Sequence, residues 1–433
     1  MRRLVSLVLA AALAVSTSAA RHAAPPPAHA ARPRIAVIIA VDGFTWERLN
    51  AWRPWLRAGL KRLLDEGAVA TECRYAHLNT VTGPGHASLA TGAPPRVHGI
   101  PLNEWFVPNA AGTAMEEVYS ATQPVAGSPE GSSTVPGPGR LHVATLGDRL
   151  VQRDARARVV AISNKDRSAI LLAGRDPRHA AYWYSEQDGT YVTSPAYDPA
   201  SPAGVAAARV VARFNHDKAG ANLSARFGTT WSRLPVPSPV PSPGFESGLD
   251  AYQEPYVGPA FPHDLTQAKG PLPAAILSTA IADRLLTDLA LDLLADDALA
   301  LGRDDVPDLL AVSFSANDYV SHEYGPESVE SLEVLRGLDV EIGRLLDDLT
   351  RRFDNGSVLV ALSADHGFLP LPEATKRRDA AAPGGRVSRT NVLDRLNAAV
   401  DAKLERTAGA PLIFRFEGCS LWLDRVALAQ PGA

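Results

Sequence analysis

The chain has 433 residues, 46% of them hydrophobic, enough for one large α/β domain or two to three average ones. Its formal net charge of -4 argues against general nucleic-acid binding. Two cysteines, Cys73 and Cys419, exclude a disulfide scaffold and any cysteine-based metal site; whether they pair is a question of geometry.

Residues 1–30 read as an export signal. Arg2 and Arg3 form a basic start, "LVSLVLAAALAV" an apolar run, and Ala20 or Ala30 a small-residue cleavage point. The run is too short and alanine-rich for a membrane span. The expected location is periplasmic or secreted, with no membrane association after removal of the signal. Residues 31–433 are then one domain.

"RIAVIIAV" (Arg34 to Val41) is an unbroken apolar run, as in a strand buried on both faces. "ARVVAIS" (157–163), "PDLLAVSFS" (307–315) and "GSVLVALSA" (356–364) are three more such strands. Leu335, Leu338, Ile342, Leu345 and Leu349 recur at 3-4-3-4 spacing, which predicts a helix with one apolar stripe. "ILSTAIADRLLTDLALDLL" predicts another before the third strand. Strands alternating with helices predict a doubly wound, mostly parallel sheet. Gln123 to Gly139 and Pro235 to Gly244 have loop composition. Residues 168–261 show little periodicity and read as an inserted cap segment over the sheet edge.

Chemistry-bearing residues follow the strands. Asp42 follows the first, Asp318 and His322 ("ANDYVSHEYG") the third, Asp365 and His366 ("ADHGF") the fourth. Ligands in open α/β sheets sit beyond the carboxyl ends of the strands. Three unpaired carboxylates gathered there would raise one another's pKa, and a divalent metal removes that conflict. Aspartate with histidine suits zinc. Each residue alone has an ordinary reading, such as a helix cap; the joint placement at three strand ends points to metal. "NTVTGPGHASLATG" (79–92) adds a cluster of threonines at a helix start, where backbone N–H groups and the helix dipole favour a phosphate.

With "AVDGF", "TVTGPGHASLATGAPPRVHGI", "NEW", "SNKDRSAILLAGR", "SANDYVSHEYGP" and "SADHGF" in this order, the chain resembles the alkaline phosphatase superfamily. The nearest likeness is to the branch of phosphate-irrepressible alkaline phosphatases and nucleotide pyrophosphatase/phosphodiesterases. The resemblance implies two zinc ions. One would be held by Asp42, Thr82, Asp365 and His366, the other by Asp318, His322 and a second histidine. It also implies Thr82 as nucleophile and Asn103, 21 residues later, as its partner; Thr80 lacks that spacing. A threonine hydroxyl is a weak nucleophile at neutral pH, and coordination to zinc activates it. The ordinary reading of Thr82 is a helix cap. Thr80, Thr91 and His86 are read as structural.

The implied activity is hydrolysis of small phosphate esters through a threonyl-phosphate. Two zinc dications cancel three carboxylates and an alkoxide. Lys165 and Arg167 then leave two positive charges, which suit a monoester dianion of about −2 better than a diester of about −1. A phosphomonoesterase is therefore expected, with a diesterase or pyrophosphatase of the same fold, or a non-catalytic zinc- or phosphate-binding protein, as alternatives. A sulfatase is disfavoured, because Thr82 stands where a Cys or Ser precursor of formylglycine would be needed. No residue after His366 is a histidine. The expectation is therefore that the second zinc site is incomplete and that the C-terminal part of the domain is truncated.

Overall fold

Long apolar runs cannot stay in water and must be covered on both sides, which makes them the inner strands of a sheet. The computed structural model describes residues 32–109, 111–125, 134–235, 255–406, 410–417 and 419–429. The expected export signal lies outside the described residues.

Strand β1 (Ile35–Val41) leads to α1 (Trp46–Trp52) and α2 (Gly59–Glu66). Helix α3 (Thr82–Thr91) precedes a hairpin of β2 (Glu104–Pro108) and β3 (Met115–Tyr119). Next come α4 (Leu146–Arg153), β4 (Val159–Ser163), α5 (Asp166–Ala173), β5 (Ala180–Tyr184) and the short β6 (Tyr191–Val192). Helices α6 (Pro202–Lys218) and α7 (Ala280–Ala295) precede β7 (Asp308–Phe314), α8 (Ala316–Tyr324) and α9 (Val329–Arg352). Strand β8 (Val358–Ala364), α10 (Arg389–Lys403) and a hairpin of β9 (Ile413–Glu417) and β10 (Ser420–Leu423) follow.

The six-stranded sheet has the order β8-β1-β7-β4-β5-β6, parallel except for the final pair. In register, Ile35 faces Asp308 and Val358, and Val41 faces Phe314 and Ala364. Alternation along β1 serves two cores. Ile35, Val37, Ile39 and Val41 join the larger one with Leu60, Leu335, Leu338, Ile342 and Leu345. Ala40 packs on the other face with Ile170 and Leu172 of α5. The predicted helical stripe thus faces the core, and the doubly wound architecture is as expected.

Four expectations change. The stretch read as an inserted cap contributes β5 and β6 to the central sheet, with β5 wholly buried beside β4. Its alanine and aromatic residues form no long aliphatic run, so periodicity does not announce it. Strand β8 is an edge strand rather than one buried on both faces, and Leu359 is 57% exposed. The run before β7 spans two helices, because Leu272–Leu277 ends at Ser278 and Thr279 caps α7 by accepting from Ile281 N–H. The expected loop 123–139 contains a short ladder of Thr122–Pro124 with Thr134–Pro136. Beyond Pro235, the proline-rich stretch 235–244 lies outside the described residues. Cys73 and Cys419 are both free and exposed. Among the described residues no helix is long and apolar enough to cross a membrane.

Candidate functional site

The carboxyl ends of β1, β7, β4 and β8 lie side by side, so whatever follows each strand meets at one edge. Asp42 follows β1 and Lys165 precedes α5 just beyond β4. Asp318 lies in the first turn of α8 after β7, and Asp365 and His366 follow β8. Asp42 and Asp365 are wholly buried, and Asp318 and Lys165 nearly so. One ligand atom each from Asp42, Asp318 and His366 lie within 4.8 Å of one another. His366 Nε2 stands 3.2 Å from Asp42 Oδ1, 3.8 Å from Asp318 Oδ1 and 3.6 Å from Asp365 Oδ2. Lys165 Nζ reaches Asp42 Oδ2 at 2.7 Å and Asp318 Oδ2 at 2.5 Å.

The backbone holds this cluster in place. Asp365 Oδ1 accepts from the N–H groups of Gly43 (3.1 Å) and His366 (2.8 Å), which leaves its Oδ2 facing inward. Burial would raise the Asp42 pKa, but Lys165, His366 and His86 hold it well below the usual carboxylate range. Burial and the Asp42 charge push Asp365 up, against the pull of His366 and His86. Burial opposes protonation of His366, yet Asp365, Asp42 and Asp318 together push it up to about 10.

These residues fit a divalent cation. Asp42 Oδ1 and Asp318 Oδ1 are buried acceptors that take no hydrogen bond of good geometry, and Asp365 Oδ2 has only the His86 ring beside it, Nδ1 at 3.1 Å. Leaving such atoms unpaired costs about 1–3 kcal/mol each, more when charged, and a metal ion relieves that cost. Two to three carboxylates with an imidazole form an oxygen–nitrogen donor set of the kind zinc takes.

Thr82 is the first residue of α3 and is 2% exposed. Val81 is the capping residue, and no side chain makes a capping bond there. The helix-cap reading of Thr82 therefore fails. Asn103 lies beside it and accepts the Gly83 N–H through Oδ1 at 2.7 Å. Helix α3 approaches the β8 end so closely that a Cβ on Gly85 would lie 2.1 Å from the Asp365 carbonyl oxygen.

Two expected site residues sit less deeply. The His322 side chain is 67% exposed, with Nε2 3.5 Å from Asp318 Oδ1 and its ring edge-on to Phe368. Arg167 is 31% exposed with its guanidinium 3.9 Å from Asp166, and its charge acts on Lys165 and Tyr319. Thus Asp318 groups with Asp42 and His366, while His322 stands at the rim.

Other residues carry no signal in the sequence. Arg48 is buried between Phe44 and Trp52. It donates to Gly43 O, Asn317 Oδ1, Ser321 Oγ and Pro326 O at 2.9–3.1 Å. Asn317 in turn donates to Asp42 O at 2.7 Å and Gly43 O at 3.0 Å. This pair fastens the turn after β1 to the helix that carries Asp318 and His322. Tyr319 supports Lys165, whose Nζ lies 5.0 Å from the ring centroid. Only the neighbouring residue Asp318 could have drawn attention to Asn317 and Tyr319.

A buried acidic cluster able to hold a metal, beyond the carboxyl ends of a parallel sheet and beside a helix start, is the class of site that fold and geometry define. The chain belongs to the type I phosphodiesterase / nucleotide pyrophosphatase family, whose model matches residues 36–382. Alkaline phosphatase PafA of Elizabethkingia meningoseptica is 30% identical over 339 residues, which are 78% of this chain and 60% of the relative. Alkaline phosphatase PhoV of Synechococcus elongatus is 30% identical over 372 residues, 83% of this chain and 63% of the relative. Alkaline phosphatase PhoK of a Sphingomonas species is 31% identical over 391 residues, 88% and 62% respectively. The chain thus spans about three-fifths of the length of these relatives. The crystal structure of wild-type PafA superposes with a TM-score of 0.76 at 26% identity, covering 92% of this chain and 74% of that one. The resemblance to the alkaline phosphatase superfamily is borne out.

Proposed function

We propose that the chain is a zinc-dependent phosphate monoester hydrolase acting through a threonyl-phosphate on Thr82. The observation that carries this reading is a buried hydroxyl at the start of α3, a helix packed against Asp365 of an acidic cluster in which Asp42 Oδ1 and Asp318 Oδ1 lack a hydrogen-bond donor.

Asp42, Asp318 and His366, with Asp365 beside them, are the residues that would hold metal; Thr82 would join the first ion's set, and His322 the second's, which lacks its further histidine. Bound zinc supplies positive charge at the reacting oxygens and lowers the pKa of the threonine hydroxyl. Thr82 Oγ1 attacks phosphorus in line, the ester oxygen leaves with the alcohol, and water then cleaves the Thr82 phosphoester. Asn103 accepts the Gly83 N–H, which commits its carbonyl oxygen and reserves its NH2 as the donor to a phosphoryl oxygen. Lys165 and Arg167 meet the remaining phosphoryl charge, Lys165 as a point charge and Arg167 as a fork. Such positioned charge is usually the largest part of catalysis at a phosphoryl group.

The same fold serves diesterases, and the charge of the substrate separates the two readings. The deciding experiment compares kcat/KM for a monoester and a diester of the same alcohol. The monoester should be preferred; a preference for the diester would assign the chain to phosphodiesterase chemistry. The alcohol is a small molecule, and export to the periplasm or beyond remains the expected location.

A further inference from the structure

His86, on α3 one turn beyond Thr82, is wholly buried and takes no part in the chemistry above. Its Nδ1 lies 2.9 Å from the Thr82 carbonyl oxygen and 3.1 Å from Asp365 Oδ2. Its Nε2 lies 2.7 Å from Ser313 Oγ, near the end of β7. One ring therefore touches the helix that carries the nucleophile, the loop that carries a metal-site carboxylate and a central strand of the sheet. The Thr82 carbonyl can only accept, so Nδ1 carries a hydrogen. Ser313 Oγ can donate or accept and suits Nε2 in either role. No other side chain in the site joins Thr82 to Asp365 among the described hydrogen bonds and ion pairs. The Gly85 backbone lies against Asp365 directly before this histidine, so the two elements meet there without slack.

We propose that His86 is a positioning residue: its Nδ1–H is donated to the Thr82 carbonyl while the same ring edge lies 3.1 Å from Asp365 Oδ2, which fixes Thr82 and Asp365 relative to each other. It touches neither substrate nor phosphorus. The proposal rests on the reading of Thr82 and Asp365 as parts of one phosphoryl-transfer centre. An ordinary buried histidine would matter only for packing, and the two roles separate by which ring nitrogen must be kept.

Three variants isolate the two nitrogens. In His86→Asn the amide nitrogen can stand in for Nδ1 and the contact to Ser313 is lost. In His86→Gln the amide reaches toward the Nε2 position and the Nδ1 contact is lost. His86→Leu keeps volume alone. Zinc affinity by chelator competition is read with melting temperature on the full chain, and phosphomonoester turnover is read separately. Loss of an outer-shell partner typically weakens metal affinity about 10–100-fold. His86→Asn should stay within about threefold of wild type, and His86→Gln and His86→Leu should fall by about that factor of 10–100 while still folding. Ser313→Ala, which leaves His86 itself intact, should keep wild-type affinity. Equal losses in all three histidine variants, a better result for Gln than for Asn, or a Ser313→Ala loss matching that of His86→Leu would overturn the proposal. Unchanged zinc affinity in every variant would overturn it as well. Absence of phosphomonoester turnover in the wild type would count against the proposed function, whereas the affinity pattern reports on His86 alone.

Discussion

Replacing Gly85 by alanine puts a methyl group where the loop after β8 already lies. The added Cβ would stand 2.1 Å from the Asp365 carbonyl oxygen, 2.6 Å from the carbonyl carbon and 2.7 Å from the Asp365 Cβ. Carbon and oxygen in ordinary contact need about 3.4 Å, so helix and loop must separate by roughly 1.3 Å. Two of the obstructing atoms are backbone, so no rotamer change relieves the clash. Overpacking of this kind costs typically about 1–3 kcal/mol, which a large domain can absorb. The larger effect falls on the site, because Thr82 rides on the same helix and Asp365 on the displaced loop. A misplacement of about 1 Å at a reacting centre can lower the rate about 100-fold. Gly92→Ala is the control. It ends the same helix at φ +67° with nothing within 4 Å of an added Cβ, so it should cost about 1–2 kcal/mol and leave the rate alone. Both variants are assayed with saturating zinc for monoester turnover and for urea unfolding. Gly85→Ala should remain folded and lose about 100-fold in kcat. A Gly85→Ala enzyme within a few-fold of wild type would refute the coupling of Thr82 and Asp365 through this contact.

Further expectations concern individual groups. Thr82→Ala should lose several orders of magnitude in turnover and form no phospho-enzyme, while Thr80→Ala should change little; single-turnover assays decide. Changing Lys165 and Arg167 together to glutamine should reduce monoester hydrolysis more than diester hydrolysis, read as the ratio of the two kcat/KM losses. Zinc should bind unequally, with one ion retained and the other, near Asp318 and the exposed His322, lost on dialysis; metal analysis before and after dialysis against chelator tests this. Asp283 is buried in α7 with its pKa raised to about 8 by desolvation, which outweighs the Ala316 N–H that it accepts. Because the folded value lies above the unfolded one, its contribution to stability is greatest below about pH 4 and is lost as pH rises toward 8. Asp283→Asn should therefore raise stability at pH 7–8 and leave it nearly unchanged near pH 4, as read by denaturant melts at the two pH values.

What the sequence made legible follows from what a linear pattern can encode. Unbroken aliphatic runs located β1, β4, β7 and β8 to within two residues, because each must be buried somewhere. Their carboxyl ends then placed Asp42, Asp318, Asp365, His366 and Lys165 at one edge, since in parallel strands all those ends lie on the same side. Strand β5 escaped notice because "AAYWY" is short, and its aromatic residues gain their burial from β4 rather than from any pattern of their own. The exposed face of β8 was equally invisible, since a strand cannot record whether a neighbour lies beyond it. The Arg48–Asn317 clamp pairs residues 269 positions apart, and the same holds for His86 with Ser313, 227 apart. Polar contacts at such separation leave no periodicity to read.

The central claim is that Thr82 carries the phosphoryl group. Its most direct measurement is rapid acid quenching of the zinc-loaded chain during turnover of a monoester, followed by peptide mass spectrometry. The account predicts one phosphoryl group on the peptide containing Thr82, localised to that residue and absent from Thr82→Ala. Steady hydrolysis with no phosphorylated peptide in an assay that detects burst-phase product, or a phosphoryl group on Thr80 instead, would contradict it.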